Sequence, residues 1–221
     1  MKVPCEIVAS GTSLFFIANQ FFFVGNQRIF FEGSKHLMQP EKKTPSLRLF
    51  FAIVAPEQVC SRLVTAQLGL SREWRPVRRD QLHLTLAFLA EVPENRCEEV
   101  FCAGRETAEA FPPFELSLAG VGGFPSLKRP RVLVVHARGE YLQALGETLL
   151  KRLGSFADDR KFTPHLTIAR SRGPFAPFQT LKIEEAWSVG SIDLIKSSLS
   201  SSGPTYETLR TFPLCGSSPA T

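Results

Sequence analysis

Two stretches decide the fold, Leu82-His-Leu-Thr-Leu-Ala-Phe-Leu89 and Phe162-Thr-Pro-His-Leu-Thr-Ile-Ala-Arg170. Each contains the same pattern, His-Leu-Thr followed by Leu86 in one copy and Ile168 in the other. A strand turns alternate side chains to opposite faces. His83 and Thr85 therefore share one face, with Leu82, Leu84 and Leu86 on the other. His165 and Thr167 likewise share a face, opposite Leu166 and Ile168. The copies lie 82 positions apart, with a helix and strands between them. That spacing suits two similar lobes facing each other across a groove.

The surrounding sequence alternates helical and extended patterns. Residues 47–55 read as an apolar strand, and Pro56 opens a helix that runs to about residue 70. A basic loop follows, with Arg72, Arg75, Arg78 and Arg79 around Trp74. These arginines suit either a solvated surface or contacts to an RNA backbone, and Trp74 suits either a core anchor or a base stack. The first motif strand covers 81–89. Pro93 opens a helix to about residue 110, with Glu98, Glu99, Arg105, Glu106 and Glu109 on its wet face. Residues 114–119 form a strand, 120–130 a glycine- and proline-containing loop, and 131–138 another strand. Leucines at 142, 145, 149, 150 and 153 mark an amphipathic helix over 140–153, which Gly154 can cap. After the second motif, 186–199 and 206–214 read as a closing pair of strands around Gly203-Pro204. The order predicts an α+β fold with mostly antiparallel sheets.

Residues 1–46 differ from the rest, with two apolar bursts and a polar stretch but neither helical period nor alternation. They are expected to be a poorly ordered N-terminal extension to a domain over 47–214, with 215–221 as a tail. Met38 offers an alternative start just before the domain. The chain's 221 residues, 43% hydrophobic and 21% charged, belong to a soluble globular protein. No apolar run reaches the ~18 residues of a spanning helix, and the start makes a poor signal peptide, so a cytoplasmic location is expected. Five cysteines, an odd number without a Cys-x-x-Cys spacing, point to reduced and mostly buried thiols. The net charge of +5 leans mildly toward polyanionic partners.

A paired imidazole can move two protons near neutral pH, one ring giving while the other takes. Attack at phosphorus needs both transfers, and it needs the phosphate charge held. Thr85 and Thr167 are placed to donate to phosphate oxygens, and Arg170 lies near the end of the second motif strand. His136 shares a face with Val132 and Val134 and reads as a packed or edge histidine. A zinc site from His83, His165 and a carboxylate or thiol lacks the local ligand pairs of common zinc motifs. No metal and no cofactor is expected.

The two His-x-Thr motifs resemble those of the 2H phosphoesterase superfamily, and within it the RNA 2',3'-cyclic phosphodiesterases, also called 2'-5' RNA ligases. The resemblance extends to Arg48-Leu-Phe-Phe-Ala-Ile53, to the loop and strand between Gly123 and Val132, and to Gly203-Pro-Thr-Tyr206. It implies a bilobal fold of two mostly antiparallel sheets with flanking helices around a central cleft. It implies metal-independent opening of an RNA-terminal 2',3'-cyclic phosphate, or of a small cyclic nucleotide, to a 2'-phosphate by a monomer. Carried onto this chain, His83 protonates the departing 3' oxygen, His165 activates water, and Thr85, Thr167 and Arg170 bind the phosphate. Where the family often has arginine beside the proline of the second motif, this chain has Thr163. Lys161 or Arg160 is the charge expected in its place. Two other readings remain open from the sequence: 2'-5' ligation of RNA halves by the same residues, and an RNA- or nucleotide-binding module without turnover.

Overall fold

The computed structural model describes residues 45–158, 161–173, 176–201 and 203–217, together with the backbone of two short strands near the N-terminus. Those strands, β1 (Phe22–Val24) and β2 (Gln27–Ile29), pair antiparallel. The expected disorder of the rest of 1–46 lies outside the described residues. Contacts divide the chain into Met1–Lys43 and Thr44–Thr221, and the second unit carries the motifs.

Its strands are β3 (Ser46–Val54), β4 (Trp74–Pro76), β5 (His83–Pro93), β6 (Phe114–Phe124), β7 (Val132–Gly139), β8 (His165–Ser171), β9 (Glu184–Val189), β10 (Ser191–Ser200) and β11 (Gly203–Pro213). The helices are α1 (Glu57–Gln67), α2 (Cys97–Glu109) and α3 (Leu142–Leu153). All nine strands join in one antiparallel sheet of order β11-β10-β3-β5-β8-β7-β6-β9, with β4 added to β8. The seam between β5 and β8 is a single residue pair, Leu84 opposite Leu166. The sheet therefore falls into two lobes, β11-β10-β3-β5 and β8-β7-β6-β9, which correspond to the two expected sheets.

Alternation explains which side of the sheet is filled. On β3, Leu49, Phe51 and Ile53 enter the main core, while Phe50 and Ala52 join Ile195 in a smaller cluster on the opposite face. A strand covered on both faces reads as a continuous apolar run, as 49–53 does. The helices pack against the main core through residues at helical spacing, such as Val59, Cys60, Leu63 and Gln67 on α1. Buried Gln67 donates through Nε2 to the carbonyls of Val77 (3.0 Å) and Ile168 (2.8 Å), tying α1 to the second motif strand. In α3, Leu142, Leu145, Leu149 and Leu153 face inward, and Gly154 ends the helix at a φ of 52°. That left-handed value favours glycine.

The structure departs from the sequence reading at five places. The stretch 186–199 is not one strand: it breaks at Gly190, where the chain leaves β9 in one lobe for β10 in the other. Strand β6 runs on through Phe124, because Gly120, at a φ of 76°, takes up a bulge between Leu118 and Val121. The basic loop contains β4, and Trp74 at its start is 1% exposed, with Nε1 donating to the Pro177 carbonyl at 3.0 Å. That burial rules out base stacking by Trp74. Of the described cysteines only Cys60 is buried; Cys97 and Cys102 are half-buried and Cys215 is exposed, all as free thiols. The expected tail begins docked, Cys215 and Gly216 donating backbone N–H groups to Ala108 and Phe111. Among the described residues no helix is long and apolar enough to cross a membrane.

Gly146 on α3 lies against the ring of Phe162, which enters the second motif. A Cβ there would stand 2.5 Å from Cδ1 and 2.8 Å from Cζ of that ring. Overpacking of this kind costs about 1–3 kcal/mol, and valine adds little helix propensity over glycine to offset it. Gly146→Val is expected to lower unfolding stability by about that amount, read as a fall in the urea midpoint.

Candidate active site

The seam builds the site. Leu84 and Leu166 are fully buried and face the core, so their neighbours on each strand must point the other way. The antiparallel register carries His83 toward Thr167 and Thr85 toward His165. All four line a cleft of about 610 Å³, together with Arg170. The structure thus brings together His83, Thr85, His165, Thr167 and Arg170. Neither threonine hydroxyl is bonded to another group among the described residues, so both are free to donate to a ligand.

Each imidazole is held from behind. His165 donates through Nδ1 to the carbonyl of Thr163 at 2.6 Å, because a carbonyl can only accept. The neutral ring then carries its lone pair on Nε2. The backbone of Gln81, again two residues before it, acts on His83. Aromatic rings flank both. Phe50 stacks on His83 with centroids 4.9 Å apart, and Tyr206 meets its edge at 5.5 Å. Phe124 meets His165 edge-on at 5.0 Å. Thr163, which stands where arginine was expected, serves through its backbone.

The hairpin that carries Tyr206 is anchored by residues of the basic loop. Gln81 Nε2 and Arg78 Nη2 both donate to the Pro204 carbonyl, at 2.8 and 3.2 Å. The loop's arginines then divide. Arg79 pairs with Glu57 away from the cleft, while Arg75 and Arg78 line it beside Arg48 and Arg170. Arg78 pairs with Asp80, and Arg48 lies over the Phe88 ring at 4.3 Å. Arg75 and Arg170 are register partners on β4 and β8, and neither has a carboxylate partner among the described residues. Lys161 does not line the cleft, and Arg160 lies outside the described residues. Sequence reasoning missed Phe50, Phe124 and Tyr206 as neighbours of the histidines, since nothing local in the chain links them.

Burial and positive charge act on both rings in one direction. Burial, with a smaller push from Arg170, brings His83 down to about 4 against the opposing bond to Gln81. Burial also lowers His165, helped by the charges of His136 and Arg170 and opposed by the Thr163 carbonyl. Among the described residues no three of His, Cys, Asp and Glu gather as they would around a metal ion.

The chain is similar to known proteins. The family model for the LigT-like phosphoesterases matches residues 54–134, which include the first motif. The RNA 2',3'-cyclic phosphodiesterase of Thermus thermophilus is 36% identical over 77% of this chain and 91% of its own length. The chain belongs to the LigT-like phosphoesterase family. Among solved structures, TT0787 of Thermus thermophilus superposes with a TM-score of 0.71 at 35% identity, over 77% of this chain and 99% of that one. LigT of E. coli, complexed with 3'-AMP, gives a TM-score of 0.66 at 27% identity over 77% of this chain and 99% of its own. The protein is accordingly a phosphoesterase of the 2H type with the α+β fold of these relatives.

Because folded His83 resists protonation until about pH 4 while an exposed ring accepts a proton near 6.5, the unfolded chain binds more protons between those values. Stability must then fall as pH drops from 6.5 toward 4. Urea midpoints across this window are expected to fall less in His83→Asn than in the parent protein. NMR titration of the ring should place its protonation near pH 4.

Proposed function

We propose that the protein opens RNA-terminal 2',3'-cyclic phosphates to 2'-phosphates without a metal, through His83 and His165. The reading rests above all on one observation: two His-x-Thr faces meet in a single cleft at the Leu84–Leu166 seam. The substrate class is carried over from the activity for which the Thermus thermophilus relative is named. Since one chain supplies both motifs, the protein acts as a monomer, and we assign it to the cytoplasm.

In the proposed reaction the cyclic phosphate sits between the two motifs. Nε2 of neutral His165 takes a proton from water as its oxygen bonds to phosphorus. The bond from phosphorus to the 3' oxygen breaks, and protonated His83 gives that oxygen a proton. The 2' oxygen keeps the phosphate. Thr85 and Thr167 donate to the non-bridging oxygens, and Arg170 offsets the charge that grows on them. The reaction leaves His83 neutral and His165 protonated, and solvent exchange restores the starting pair.

The free cleft resists holding the proton that the donor needs, more strongly at His83 than at His165. A bound phosphate anion favours the charged ring and raises both. The profile of kcat/KM reports the free protein and that of kcat the complex. The first is therefore expected to be a bell with its maximum on the acid side of pH 6.5, and the second to lie at higher pH.

With EDTA present, a short RNA ending in a 2',3'-cyclic phosphate should yield the 2'-phosphate. His83→Ala and His165→Ala should each lower kcat by about 10²–10⁴, the usual range for a general acid or base. Full activity in both variants would overturn the two-histidine mechanism. A substrate with sulfur as the bridging 3' atom has a leaving group that needs no proton. His83→Ala should lose far less on it than His165→Ala does, and the reverse result would exchange the two roles.

A further inference from the structure

Strict alternation along the second motif strand would put Arg170 on the core side. Counted in steps of two, the cleft face takes His165, Thr167 and Ala169, and Arg170 falls opposite them. The structure differs. Ile168 and Ala169, consecutive residues, are both fully buried, while Arg170 is exposed and lines the cleft. The register with β7 supplies the reason. Val134 pairs with Thr167 and Leu133 with Ala169, so Ile168 has no partner on β7. One extra residue on one strand of a pair is a β-bulge. It shifts the phase of every residue after it, and Arg170 changes faces.

A bulge interrupts the ladder, and its backbone groups need other partners. Gln67 of α1, only 6% exposed, supplies one. Its Nε2 donates to the Ile168 carbonyl at 2.8 Å and to the Val77 carbonyl at 3.0 Å. The Val77 N–H donates to the same Ile168 carbonyl at 2.9 Å. The amide therefore bridges the bulged residue and the segment just after β4, whose Arg75 is the register partner of Arg170. A primary amide suits this place because it has two N–H groups for two carbonyls. An apolar side chain would fill a buried helix position without the desolvation that an amide suffers there.

We propose that Gln67 is a positioning residue for the reaction: it clamps the bulge at Ile168 and so aims Arg170 at the phosphate. Gln67 does not line the cleft, and it acts through the strand. The inference rests on the phosphodiesterase reading above for the substrate that the phosphate belongs to. It deepens that reading by naming what holds the charge in place.

The test is a double-mutant cycle with two readouts, kcat/KM on a 2',3'-cyclic phosphate and the affinity of the protein for inorganic phosphate. Gln67→Met keeps the length of the side chain and removes both donors. It should lower each readout by about tenfold, the scale of one hydrogen bond to a charged group. In an Arg170→Ala background the same substitution should change either readout by no more than about twofold, because the group it misplaces is already gone. Gln67→Asn keeps a neutral amide one carbon short of its carbonyls. It should show the same coupling, and it carries the test if Gln67→Met does not fold. An equal loss with and without Arg170 would make Gln67 a purely structural residue and overturn the proposal, as would parental values in both variants. If phosphate affinity shows the coupling but no cyclic phosphate is opened, the clamp stands and the phosphodiesterase reading fails.

Discussion

One pair of leucines holds the site together. Leu84 and Leu166 form the only ladder pairing between β5 and β8 among the described residues, and both are wholly buried. Burying a leucine stabilises a fold by about 1.5–3 kcal/mol relative to leaving it exposed, so the register at this seam is strongly set. A slip of either strand by one residue would turn its leucine into the cleft and its histidine into the core. The same contact that joins the lobes thereby aims four polar side chains at one space. His165 is then fixed by the Thr163 carbonyl and each imidazole by an aromatic neighbour, so the seam settles position and local contacts settle orientation.

This arrangement was legible in the sequence wherever alternation carries it. The period of two around His83 and His165 gave the correct faces, and the leucines of 142–153 gave the buried side of α3. What failed had long-range causes. Nothing within 186–199 says that the chain changes lobes at Gly190, because β9 and β10 are both good strands and only their partners differ. Likewise the sequence of 72–79 shows arginines around a tryptophan. The tertiary structure decides that Trp74 is buried, that Arg79 pairs with Glu57, and that Arg75 and Arg78 reach the cleft. Phe50 and Tyr206 touch His83 from β3 and β11, and the hairpin carrying Tyr206 is tied to Gln81 and Arg78 through the Pro204 carbonyl. Pairings of that kind leave no periodic trace.

The electrostatics of the cleft make sense as a site awaiting an anion. Its cations, Arg48, Arg75, Arg78 and Arg170, surround two rings that burial already discourages from carrying charge. Without a ligand, burial keeps both rings from readily taking up a proton. A phosphate supplies the missing negative charge at the point where both threonine hydroxyls are free. Anion binding and protonation of the rings are therefore linked.

A near-symmetric pair of lobes faces a substrate that has no symmetry. Two equivalent His-x-Thr faces meet at the seam. The two lobes nonetheless differ outside the motifs. The first difference met on leaving the seam is Val54, the register partner of His83, against His136, the register partner of His165. A duplicated scaffold can hold its catalytic pairs alike and differ in the next strand out, where a change of side chain leaves the seam register untouched.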